Sequence, residues 1–88
     1  MDHYDQFRIV AQAVTTEATY SSHWRRQAVS VLRVKEAVRE RIGCPTAEVP
    51  WVDAALQEGV ILGFWEMDVD PDNEVDIILV RKRHADTP

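Results

Sequence analysis

At 88 residues, with 45% hydrophobic and 28% charged side chains, the chain is long enough for one small domain built on a single core. A net charge of −5 argues against bulk binding to nucleic acid or to an anionic membrane surface. No apolar run approaches transmembrane length, no basic-then-apolar leader opens the chain, and the single cysteine, Cys44, excludes an internal disulfide and fits a reducing cytoplasm.

The first predicted element is a helix over residues 2–19. Tyr4, Phe7, Val10, Ala11, Val14 and Ala18 recur at helical spacing, and Asp2 or Asp5 can cap the start, where a negative charge also suits the helix dipole. Thr15, Thr16 and Thr19 weaken its end through their stiff χ1, and Tyr20-Ser21-Ser22 reads as a break. A second helix is expected over residues 23–42. Its apolar face is Trp24, Ala28, Val31, Val38 and Ile42, widened by Val34 and Leu32, with Lys35 snorkelling from the edge. Arg26 and Arg33 are expected on its solvated side. Gly43 supplies a left-handed terminator and Pro45 blocks continuation.

A short third helix is expected over residues 46–58, with Pro50 in its opening turn, Trp51, Val52, Ala55 and Leu56 on the buried side, and Gly59 at its end. The last predicted element is a β-hairpin over residues 59–83, in which two apolar runs flank the turn residues Asp70-Pro71-Asp72-Asn73. A register that sets Val69 against Val75, Met67 against Ile77 and Trp65 against Leu79 makes one face wholly apolar. Two strands alone are marginal in water, so the helices must cover that face. The expected fold class is therefore α+β: three helices followed by an antiparallel hairpin, in one domain over residues 1–88, with residues 85–88 as a loose tail.

The passage Val52-Asp53-Ala54-Ala55-Leu56-Gln57-Glu58-Gly59-Val60-Ile61-Leu62-Gly63-Phe64, an apolar-faced helix, a glycine and a strand leading into a hairpin, resembles the winged helix-turn-helix superfamily. It departs from that pattern in lacking an obvious short strand after the first helix and in carrying Pro45 and Pro50 in the linking turn. The resemblance implies that the third helix enters the DNA major groove. Its exposed residues here would be Asp53, Gln57 and Glu58, and the wing would carry Glu66, Asp68, Asp70, Asp72, Glu74 and Asp76, a surface that repels phosphate. A looser helix-turn-helix match upstream uses Val10, Ala11, Val14 and Trp24 as buried positions, with Ser22, His23, Arg25 and Arg26 facing DNA.

Charge patterning leads the same way. Between Arg8 and Arg41 lie seven Arg or Lys against three Glu; between Glu48 and Asp76 lie nine Asp or Glu and no base; Arg81-Lys82-Arg83 then follow. Asp68, Asp70, Asp72 and Asp76 occupy the first, third, fifth and ninth places of a calcium loop, but the twelfth, which should be a bidentate Glu, is Leu79, so a solvated acidic turn is the simpler reading. His3, His23 and His84 lack zinc spacing, Cys44 reads as a half-buried structural thiol, and no nucleophile–base set or phosphate loop is present. The sequence thus leads to a non-enzymatic cytoplasmic regulator or inhibitor without cofactor or metal. It would bind a protein of basic surface through Glu66, Asp68, Asp70, Asp72 and Glu74, with Trp24 as an exposed anchor. The alternative is a DNA-binding transcriptional regulator, compatible with a homodimer, that uses Arg25, Arg26, Arg33 and the cluster Arg81, Lys82 and Arg83.

Overall fold

The computed structural model describes residues 1–80; Arg81, Lys82, Arg83 and the tail at 85–88 lie outside the described residues. The architecture is α+β, three helices and a four-stranded antiparallel sheet, in the order α1 (His3–Glu17), β1 (Thr19–Ser21), β2 (Arg26–Ser30), α2 (Val31–Ile42), α3 (Pro50–Ile61), β3 (Trp65–Val69) and β4 (Asp76–Val80). Helix α1 follows its periodicity. Asp2 caps it, its carboxylate accepting the Asp5 N–H at 2.8 Å, and Val10, Ala13 and Val14 are buried. Tyr4, expected on the buried stripe, is exposed instead.

The largest correction lies between residues 19 and 30. The stretch read as the first part of the second helix is a β-hairpin. Ser30, not Ser21 or Ser22, caps α2, its Oγ accepting the Arg33 N–H at 3.1 Å. Ser21 Oγ instead faces Trp24 N–H at 3.5 Å, and Arg25 takes a left-handed φ of 56°. The reason lies in β4. Its residues Ile77, Ile78 and Leu79 are all buried, so both faces of that strand must be covered and both edges paired. Strand β3 pairs one edge, and β2 pairs the other through Ala28–Leu79, Val29–Ile78 and Ser30–Ile77, giving the order β1-β2-β4-β3. The upstream helix-turn-helix match fails for the same reason, because two strands stand where its second helix would begin. Leu32, expected to widen the buried face of α2, is exposed, and Val31, Val34, Ala37 and Val38 form that face.

The β3–β4 hairpin forms where expected, but its register is shifted by one residue: Trp65 pairs with Val80, Met67 with Ile78 and Val69 with Asp76. The turn is longer than the expected register allows. Asp70 N–H donates to Val75 O at 2.9 Å, Glu74 N–H donates to Asp70 O at 2.8 Å, and Glu74 takes a φ of 55°. A one-residue slip sends alternate side chains to opposite faces. Ile78 and Trp65 therefore join the helix-facing core with Val29, Val34, Val38 and Leu56, while Ile77 and Leu79 turn to the outer face beside Glu66 and Asp68.

Helix α3 opens on Pro50 at its first position, where the missing N–H costs nothing, and it runs through Gly59 rather than ending there. Gly59 faces the Trp65 indole so closely that a Cβ would collide with the ring, and Trp65 Nε1 donates to Leu56 O at 2.9 Å. The terminator is Gly63, with φ 83°, as Gly43 is for α2 with φ 73°. Cys44 is exposed, not half-buried, with its Sγ 3.7 Å from Ile42 O.

Candidate functional site

The acidic residues expected to act together divide into two groups. Glu66 pairs with Arg26 at 3.2 Å, and Asp68 accepts from Trp24 Nε1 at 3.2 Å. Asp70 organises the turn: its carboxylate accepts Asp72 N–H at 2.9 Å and Asn73 Nδ2 at 3.2 Å. The Asp72 N–H bond foremost, then Asn73 and the nearby His23, hold the Asp70 carboxyl below the ordinary carboxylate range against a small desolvation effect. These three carboxylates serve the fold. The side chains of Asp72, Glu74 and Asp76 have no hydrogen-bond or ion-pair partner among the described residues, and all three are exposed. The hairpin thus carries an uncompensated anionic tip, beside which Val69 is also exposed.

Trp24 is neither on a helix nor fully exposed. It sits in the β1–β2 turn, half-buried, with the His23 ring edge-on at 4.6 Å. Its bond to Asp68 carries the indole across the outer face of the sheet, where it lines a shallow groove of about 260 Å³ with Thr19, Ala28, Ser30, Arg33 and Ile77. Burial of Ile77 and Leu79 on that face follows from this cover and from Arg26, whose guanidinium donates to Leu79 O at 3.3 Å and Val80 O at 3.2 Å.

The described bases are almost all engaged within the chain. Arg26, expected on a solvated helix face, is on β2 with its side chain only 19% exposed. Arg33 pairs with Glu17 at 2.6 Å, Glu36 at 3.1 Å and Glu40 at 3.6 Å, which raises its pKa, Glu17 foremost. Lys35 meets Asp53 at 3.2 Å, Arg39 Nε donates to Ala47 O at 2.7 Å, Arg41 to Ala37 O at 3.4 Å, and Arg8 lies 3.6 Å from Asp5. Arg25 alone of the described bases has no partner. Arg26 and Arg33 lie on different elements and do not form one surface; Arg81, Lys82 and Arg83 lie outside the described residues.

Among the described residues no three His, Cys, Asp or Glu side chains are grouped to hold a metal ion, and no helix is long and apolar enough to cross a membrane. No family model matches the chain, and no curated protein matches it either. The sequence reading also missed an exposed apolar group of Tyr4, Ile61, Leu62 and Phe64 where α1 meets the end of α3. The run Val60-Ile61-Leu62 signals it, because at helical spacing three consecutive large apolar residues cannot all face one core.

Proposed function

We propose that the chain is a winged-helix-like, non-enzymatic cytoplasmic regulator or inhibitor that binds a protein of basic surface through the tip of its β3–β4 hairpin. The winged-helix likeness draws support from the order of elements: the strand missing from the sequence reading has a counterpart in β2, which leads into α2 and pairs with β4. One observation carries the functional reading. The chain neutralises its described bases internally, Arg25 excepted, and leaves Asp72, Glu74 and Asp76 unpaired on a projecting turn. Such a surface steers toward a cationic partner and away from phosphate, and it can occupy a site on that partner meant for nucleic acid.

Two binding measurements on the full chain test this. Duplex DNA should not be retained at low salt, where counterion release favours binding most. An arginine-rich peptide, standing in for a basic protein surface, should bind with an on-rate that falls as salt rises. Changing Asp72, Glu74 and Asp76 together to Lys should abolish that binding while leaving the melting temperature within a few degrees of the parent, since none of the three side chains has a partner to lose. Tight, salt-sensitive DNA binding by the unmodified chain would overturn the reading in favour of a DNA regulator.

A further inference from the structure

The end of the molecule away from the acidic tip has the opposite character. The His3 imidazole lies 2.7 Å from the Glu58 carboxylate, which fixes the first turn of α1 against the last turns of α3. Ile61 and Leu62 follow Glu58 by three and four positions and so continue along its side of the helix. Phe64 packs on Phe7 of α1 with ring centroids 6.0 Å apart. Tyr4, one residue beyond His3, carries the Arg8 guanidinium over its ring at 6.0 Å. Four large apolar side chains therefore form one patch, and they are well exposed: Ile61 at 82%, Tyr4 at 71%, and Leu62 and Phe64 each more than half. We propose that this α1–α3 end is the interface of a two-fold homodimer, independent of whatever the acidic hairpin binds.

A second copy is the occupant that the surrounding charges fit. The rim holds both signs, Arg8 and Asp5 on α1 and His3 and Glu58 between the helices. The Asp5–Arg8 contact is long, at 3.6 Å, and both side chains remain exposed, so neither is fully engaged within its own protomer. Two α1 helices crossing antiparallel between Tyr4 and Arg8 set Arg8 of each copy against Asp5 of the other, which is the self-complementarity an isologous contact requires.

The acidic hairpin supports the same choice. Strand β3 rises about 3.3 Å per residue, which places the acidic tip roughly 15–20 Å from Phe64. Joining two copies at the apolar end holds their tips several screening lengths apart, each length being about 8 Å at physiological salt. Contact through the hairpins would press like charges together. Given that an aromatic side chain carries about 150–250 Å², the patch offers roughly 500 Å² per protomer, or about 1,000 Å² for the pair, the lower bound of a specific interface.

Sedimentation of the full chain over a concentration series at physiological salt tests this. The parent should associate to a dimer and no further. Ile61→Glu, at a side chain with almost nothing to lose in the monomer, should weaken association at least about tenfold with unchanged circular dichroism. Asp5→Arg alone should also weaken it, and adding Arg8→Asp should restore it by exchanging the two signs across the axis. A chain that stays monomeric throughout the series would overturn the proposal. So would a dimer indifferent to Ile61→Glu, or one broken by Lys at Asp72, Glu74 and Asp76, which would move the contact to the hairpin.

Discussion

The two β-hairpins of this protein are built on different principles. The β3–β4 hairpin is local: Asp70, Pro71, Asp72 and Asn73 make a turn from their own side chains, with both carboxylate oxygens of Asp70 bonded within the next three residues. The β1–β2 hairpin has no Gly, Pro or Asn in its turn, and it places Arg25 at a φ of 56° without a glycine to absorb it. What holds it comes from 40 or more residues away: Trp24 reaches Asp68, and Arg26 reaches Glu66 and the carbonyls of Leu79 and Val80. A hairpin can be written into its turn or imposed by the sheet it joins. Only the first kind leaves a local signature.

Strand β4 belongs to both arrangements, so the largest effect is expected there. Ile78 is fully buried between β2 and β3, and Ile78→Asp places an unpaired carboxylate in the core, at a cost of several kcal/mol, comparable to the stability of a small domain. The variant should show no cooperative thermal transition. A parent-like melt would mean that the shifted register is wrong.

A middle-sized effect should separate the two hairpins. Trp24→Phe keeps a ring over the outer face and removes only the indole N–H bond to Asp68, which should cost about 0.5–1.5 kcal/mol. Trp24→Ala also uncovers that face and should cost about 3 kcal/mol or more. In both variants, amide exchange should accelerate in β1 and β2 before β3, because the tie that is lost serves the first hairpin. Equal acceleration in all strands would show that the sheet opens as one unit and that the contrast does not hold.

The smallest effect concerns the turn that makes its own structure. Asp70 has a depressed pKa in the folded chain, so its ionised form contributes stability that is present above the ordinary carboxylate pKa of about 4 and is lost as pH falls through the lower folded value. Denaturation of the parent should therefore weaken as pH drops below about 4, and Asp70→Asn should show a shallower dependence in that window. An identical pH profile for the two proteins would remove Asp70 from the organisation of the turn.

How much of this was legible depends on where the signals come from. Helix α1, the Gly43 terminator, Pro50 at the head of α3 and the existence of the second hairpin follow from periodicity, capping and turn chemistry, all of which act within a few residues. So does the concentration of acid on that hairpin. The register slip was not legible, because Asp70-Pro71-Asp72-Asn73 supports either loop length, and only the Asp70–Val75 and Glu74–Asp70 backbone bonds select the longer one. Residues 23–30 carry an apolar spacing that suits a helix as well as a strand, and they became a strand because the inner edge of β4 needed a partner.

The candidate site divides along the same line. Sequence alone determined that the acids cluster late in the chain and the bases early. Which of those charges remain free was decided only by tertiary structure, since Glu66, Asp68 and Arg26 meet partners 40 or more residues away while Asp72, Glu74 and Asp76 meet none among the described residues. An ion pair depends on distances of a few ångströms between elements, and composition carries no record of them.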